Sequence, residues 1–201
     1  MAEFENAKKY ILEELGGKLP ENLTYHGLWH TKNVYKAACD FSVYYNLNPD
    51  ERLILETASL YHDAGFLNVY RNHEEAGCII AAEILPKFGY EIPVIEQIQE
   101  LIMATKIPQS PKQFLSELIC DADLDYLGGS DYDRIASLLF DEFREYHIVT
   151  TELQWFEMQA GFLESHTFFS EFSRTHRDPK KKENLVRVQM HLEKLRNNGK
   201  A

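Results

Sequence analysis

Residues 49–66 read PDERLILETASLYHDAGF, and this stretch decides the fold. Pro49 suits the first turn of a helix, where its missing N–H costs nothing, and Gly65 is placed to end that helix. Between them Leu55, Ala58 and Ser59 fall on the side of His62, so a helical period turns a histidine towards apolar neighbours just before the chain breaks off. Asp63 follows directly. Adjacent helical side chains point about 100° apart, but at a helix end the backbone can adjust until an imidazole and a carboxylate converge. An HD dipeptide is common in any chain of this composition, and its placement is what gives this one weight.

The same period extends in both directions. Phe4, Ala7, Ile11 and Leu15 mark a helix over 3–15, and Val34, Ala37, Ala38 and Phe41 mark one over 29–45. Glu74 and Glu75 suit the first turn of a helix over 73–88, and Pro93 opens another over 93–105. Pro108 and Pro111 make a turn, and helix resumes over 112–126 until Gly128-Gly129. Two more follow, over 131–146 and 151–166, and a polar one over 181–197 carries Leu185, Val188, Leu192 and Leu195 along one side. No segment alternates at period two, so the expectation is an all-α protein, a single globular helical bundle of about eight to nine helices. The basic segment RTHRDPKKKEN (174–184) reads as a solvated linker into the last helix, or else as a patch facing phosphate or a partner. A domain over 1–173, with 174–201 completing it, follows from this reading. The aromatic residues Trp155, Phe156, Phe162, Phe168 and Phe169 fit a core better than a stacking platform.

Ionisable groups turned into such a core are costly unless they are paired or hold a metal. His30 shares a face with Val34, Ala37 and Phe41. His62-Asp63 ends the second motif-bearing helix. Of the three aspartates in CDADLDYLGG, Asp123 lies on the stripe of Leu115, Ile119 and Leu127, whereas Asp121 and Asp125 fall opposite and are expected in solvent or orienting a histidine. Taken singly, each is as well explained by a hydrogen-bonded core residue or a paired helix end. Together, two imidazoles and two carboxylates make a mixed N/O set suited to one divalent cation such as Mn, Mg, Fe or Zn.

Composition narrows the class. With 44% hydrophobic and 26% charged residues the 201-residue chain is ordinary for a soluble globular protein. Its net charge of -11 argues against broad binding to nucleic acid or anionic membrane, both of which need basic surface. Cys39, Cys78 and Cys120 are far apart, without a CxxC, as expected of buried thiols in a reducing compartment. The start, MAEFENAKKYILEEL, is amphipathic and acidic, unlike a signal peptide, and no apolar run reaches the roughly 18 residues of a membrane span. A cytoplasmic protein is expected.

The order H…HD…D, carried here by YHGLWHTKNV (25–34), LYHDAGF (60–66) and CDADLDYLG (120–128), resembles the HD-domain superfamily of metal-dependent phosphohydrolases over residues 24–127. The resemblance implies that His30, His62, Asp63 and Asp123 hold the metal. It implies that His26 donates a proton to the leaving group, as in the cyclic-nucleotide phosphodiesterase branch, which a histidine titrating near neutrality can do. If a helix begins near Thr24, His26 lies one turn before His30 on the same side. His26 could equally cap or pack at a helix start. The arginine that precedes the first metal histidine in (p)ppGpp hydrolases and the GYP signature of cyclic-di-GMP phosphodiesterases are not found, which disfavours both substrates. His73 reads first as a helix-cap or surface residue, although some superfamily members place a second metal near such a histidine. Lys106 and Arg71 could hold a substrate phosphate as point charges, and Lys106 could equally complement a helix dipole.

The implied activity is hydrolysis of a phosphate ester or anhydride, in a nucleotide-like small molecule, with Asp63 or a neighbouring carboxylate orienting water. The alternative is a non-catalytic metal- or nucleotide-binding regulatory module. A di-iron oxygenase ranks below both, because only His73 lies between the HD pair and Asp123.

Overall fold

The apolar stripes close into helices and nothing else: a computed structural model describes residues 2–198, and among these there are ten α-helices and no strand. They are α1 (Phe4–Lys18), α2 (Leu28–Tyr44), α3 (Pro49–Tyr61), α4 (His73–Ile84), α5 (Ile92–Ala104), α6 (Phe114–Asp123), α7 (Tyr132–Glu145), α8 (Glu152–Ser165), α9 (Glu171–His176) and α10 (Asp178–Asn198). No helix among the described residues is long and apolar enough to cross a membrane. The all-α expectation therefore holds, with α9 as the helix that the spacing did not reveal.

The chain divides into two compact units, one ending at Asp123 and the other beginning at Leu124. In the first, α3 is the central element and packs on α1, α2, α5 and α6. Its residues from Ile54 to Tyr61 are buried without interruption. The hydrocarbon of a fully buried leucine such as Leu55 or Leu60 contributes roughly 1.5–3 kcal/mol. One charge lies within that run, Glu56, and Arg52 Nε donates to its Oε1 at 2.5 Å. The start of α3 is fixed by more than Pro49. Asn48 Oδ1 accepts from the backbone N–H groups of Asp50 and Glu51 at 3.0 Å, and Glu51 Oε2 accepts from Asn48 N–H at 3.0 Å. Such reciprocal caps contribute about 1 kcal/mol.

Several helix ends differ from the spacing. α4 stops at Ile84 instead of 88, since Pro86 has no N–H to continue the ladder and its ring would strike the preceding turn. α3 stops at Tyr61, and α6 runs only from Phe114 to Asp123. Each is followed by a tight 3₁₀ turn, Ala64–Leu67 and Asp125–Gly128.

In the second unit α10 packs on α8, α9 and the turn Asp125–Gly128. The segment 174–184 is helical, apart from the junction at Arg177, and so not a linker, although Arg174, Thr175, His176, Pro179, Lys182 and Glu183 are exposed. Ser170 Oγ accepts from Ser173 N–H at 3.2 Å to start α9. Lys181 lays its stem along the protein, buried, with Nζ donating to the His166 carbonyl. Asn184 Nδ2 donates to the Leu127 carbonyl at 2.7 Å. Trp155 and Phe168 are buried, as a core role requires.

Candidate metal centre

Three backbone features bring the inward ionisable groups together. His30 sits in the first turn of α2, 3% exposed. His62 caps the C-terminal end of α3, and Asp63 follows with φ -101° and ψ 7°, so the two leave the helix in different directions and can face one point. Asp123 is the last residue of α6. Asp123 Oδ1 lies 3.1 Å from His30 Nε2 and 3.6 Å from His62 Nε2. Asp63 Oδ2 lies 3.5 Å from His30 Nε2 and 3.3 Å from His62 Nε2. The two Nε2 atoms are 3.4 Å apart.

These groups pair with one another, as in the 3.1 Å hydrogen bond between His30 Nε2 and Asp123 Oδ1, and they also present the donor set that a cation takes. His62 Nδ1 is 2.8 Å from the Ser59 carbonyl, which can only accept, so Nδ1 carries the proton and Nε2 of the neutral ring presents a lone pair. Asp63 Oδ2 is buried and has no hydrogen-bond partner. Two imidazole nitrogens and two carboxylate oxygens thus converge, and His30, His62 and Asp123 offer ligand atoms that all lie within 4.8 Å of one another.

Electrostatics express the same arrangement. Burial opposes charge on His62, Asp63 and Asp123, but their mutual contacts outweigh it. His62 stands well above its ordinary value because Asp63 and Asp123 face it. Asp63 lies far below the usual carboxylate range, held there by His62, and Asp123 is lowered to about 2 by His30 and His62.

His73 is more than a helix cap. It opens α4, and its Nε2 lies 3.5 Å from Asp63 Oδ1 and 3.5 Å from Glu74 Oε1. Its side chain is 20% exposed, and burial lowers its pKa against the pull of Asp63 and Glu74. Glycines allow this approach. A Cβ on Gly65 would lie 1.8 Å from the His73 carbonyl oxygen, and one on Gly77 would lie 3.2 Å from the Tyr61 carbonyl oxygen. Gly65 is therefore needed for the close passage of α4 and not as a left-handed helix stop.

His26 is not helical, contrary to a helix beginning near Thr24. α2 begins at Leu28, and His26 occupies the bend before it. Its ring nevertheless lies 5.9 Å from that of His30 and 6.0 Å from that of His73. Tyr25, 3% exposed, packs against two of these rings, 4.6 Å from His26 and 4.7 Å from His30. It was present in the quoted motif, but spacing gave it no role.

Lys106 lies two residues beyond α5 and donates to Glu75, with Asn72 Oδ1 at 3.4 Å. Its ammonium is thus already paired. Arg71 is exposed in the turn before α4. Among the aspartates, Asp121 is fully buried, which removes the solvent-exposed alternative and leaves that of orienting a histidine, and Asp125 is bound by Arg177 Nε at 2.6 Å. Helix α6 is buried on nearly every side from Leu118 to Ala122, so a single apolar stripe does not distinguish its faces. Asp123, with 15% of its side chain exposed, is the carboxylate of this segment that faces both His30 and His62.

No protein-family model matches the chain, and no curated protein matches it. Among solved structures, the crystal structure of a predicted HD superfamily hydrolase from an uncultured Thermotogales bacterium aligns with 95% of this chain and 92% of its own, at a TM-score of 0.62 and 18% identity. The chain therefore shares its all-α fold with that predicted HD superfamily hydrolase, and within the fold it carries the H…HD…D order as one cluster of facing side chains.

Proposed function

We propose that the protein is a metal-dependent phosphohydrolase acting on a phosphate ester or anhydride of a nucleotide-like small molecule. The supporting observation is the convergence of His30 Nε2, His62 Nε2, Asp63 Oδ2 and Asp123 Oδ1 at separations of 3.1–3.6 Å, with Asp63 Oδ2 otherwise unpartnered. These four residues would hold a divalent cation, Mn, Mg, Fe or Zn. Such a cation, when bound, polarises a phosphoryl oxygen and brings the pKa of a water towards neutrality.

The chain's own residues supply the rest. The Ser59 carbonyl fixes the His62 tautomer. Asp63 orients the attacking water through a carboxylate oxygen. His26 passes a proton to the departing oxygen, a contribution of typically 10²–10⁴-fold. Arg71 is exposed and available to a phosphate. Lys106 can serve only by exchanging Glu75 for substrate.

That last contact favours the second reading, a regulatory module that binds metal or nucleotide without turnover, since the cation nearest to a phosphate role is already neutralised. The two are separated by loading the purified protein with Mn²⁺, Fe²⁺, Zn²⁺ or Mg²⁺, counting ions per chain, and measuring phosphate or nucleotide release from a panel of nucleoside mono-, di- and triphosphates. Metal-dependent release that is lost in His26→Ala with the ion retained supports the hydrolase. Stoichiometric metal with no release from any of them leaves the module.

A further inference from the structure

The turn after the HD pair carries a residue that no ligand count includes. Phe66 sits in the 3₁₀ turn Ala64–Leu67, and its backbone N–H donates to the Asp63 carbonyl at 3.1 Å, which ties the origin of its side chain to the metal-facing residue. It is 4% exposed. One side of its environment is the His73 imidazole, stacked at 3.9 Å between centroids and 18° between planes. Another is the His26 imidazole, stacked at 4.5 Å and 30°. Tyr70 leans on the same ring at 5.5 Å. Stacked aromatic pairs carry about 0.5–1.5 kcal/mol beyond their buried area and, more to the point, a preferred orientation. His26 lies in a bend, with Tyr25 edge-on at 4.6 Å, and His73 stands at the first position of a helix, its Nε2 3.5 Å from Asp63 and Glu74; Phe66 is the ring stacked on both imidazoles.

We propose that Phe66 is a positioning residue: its ring is the shared face against which the imidazoles of His26 and His73 are set beside the metal-facing cluster. The proposal rests on the reading of His26 as proton donor. A leaving-group oxygen can be protonated only by an imidazole nitrogen within hydrogen-bond reach and correctly aimed. A ring free to turn about its χ angles spends most of its time elsewhere, and small misplacements of this kind cost up to about 10²-fold.

The experiment uses the full chain in two variants. Phe66→Leu keeps an apolar side chain and removes the ring, whereas Phe66→Tyr keeps the ring. The carbon-bound imidazole protons of His26 and His73, assigned with His26→Asn and His73→Asn, are observed by NMR in the Zn²⁺-loaded protein. Turnover of the best nucleotide is measured with Mn²⁺. The expected result is that both imidazole sets are shifted upfield by the phenyl ring, return to ordinary positions in Phe66→Leu and stay shifted in Phe66→Tyr. In parallel, kcat falls roughly 10- to 100-fold in Phe66→Leu with KM changed less than about twofold, and Phe66→Tyr recovers it. Imidazole shifts that do not move in Phe66→Leu overturn the proposal, as does an unchanged kcat once they have moved. If the shifts behave as expected while the unaltered protein hydrolyses nothing, the orienting role of Phe66 stands and the hydrolase reading falls.

Discussion

Gly65 and His73 are in such close contact that a methyl group on the glycine would lie 1.8 Å from the histidine's carbonyl oxygen. The obstructing atom is backbone, so no side-chain rotation relieves it. Gly65→Ala must push the start of α4 away from the HD turn, and overpacking of this kind costs typically 1–3 kcal/mol. The expected outcome is a fall in the urea midpoint with unchanged slope, together with weakened interaction between His73 and Asp63. Gly161→Ala is the control. It lies within α8 with nothing inside 4 Å of the added Cβ, and helix propensity favours alanine there by roughly 0.5–1 kcal/mol. Equal losses in the two variants would show that the clash is not what Gly65 prevents.

The metal-free cluster and the loaded cluster should respond to pH in opposite senses. In the metal-free chain His62 has a raised pKa, so its paired imidazolium stabilises the fold fully below the ordinary 6.5 and loses that contribution as pH rises through the raised value. Asp123 is lowered, so its contribution is present above the ordinary 3.8 and is lost as pH falls through about 2. A divalent cation requires His62 neutral and therefore competes with the proton, so affinity should rise as pH passes upward through the raised value. Isothermal titration in two buffers of different ionisation enthalpy, across pH 6 to 9, measures protons released per ion bound. An affinity that is flat across this range, with no proton release, would remove His62 from the ligand set.

Much of this centre was legible because its residues obey spacing. His30 falls on the face of Val34 and Phe41, and the H…HD…D order needs no coordinates. What the sequence hid depended on packing from outside each helix. Asp121 looked solvent-facing on a helical wheel, but α6 is enclosed on nearly every side from Leu118 to Ala122, so the wheel had no solvent face to detect there. His73 looked like a cap because its contact with Asp63 depends on two glycines, Gly65 and Gly77, allowing α4 to approach the HD turn. Lys181 and Asn184 looked like linker residues because their acceptors, the carbonyls of His166 and Leu127, are remote in sequence.

The Lys106–Glu75 pair offers a direct choice between two roles. If Lys106 binds substrate phosphate, Glu75 competes with the substrate for the ammonium. Glu75→Gln should then lower KM for a phosphorylated substrate by roughly two- to fivefold, the range open to a solvent-exposed ion pair, with kcat little changed. Lys106→Met should raise KM. If Lys106 only ties the region after α5 to the start of α4, Glu75→Gln should leave KM unaltered and show only a small change in thermal midpoint. Steady-state kinetics of both variants with one nucleotide are sufficient to decide.

Cation binding should also stabilise the fold through the same four side chains. A ligand that binds only the native state at about 100 times its Kd adds about 2.7 kcal/mol, a shift of a few degrees for a chain of this size. Asp123→Asn keeps the shape of the side chain but removes its negative charge, and with it one anionic oxygen facing His30 and His62. In that variant the metal-free protein should also lose the stabilisation that Asp123 gains above pH 4, because its partners remain while the carboxylate does not. The expected pattern is a thermal midpoint raised by Mn²⁺ or Zn²⁺ in the unaltered chain and nearly indifferent to either ion in Asp123→Asn. Asp125→Asn serves as the contrasting case, since that carboxylate is bound by Arg177 and does not belong to the cluster. A metal-induced shift that survives Asp123→Asn but disappears in Asp125→Asn would place the ion elsewhere in the chain.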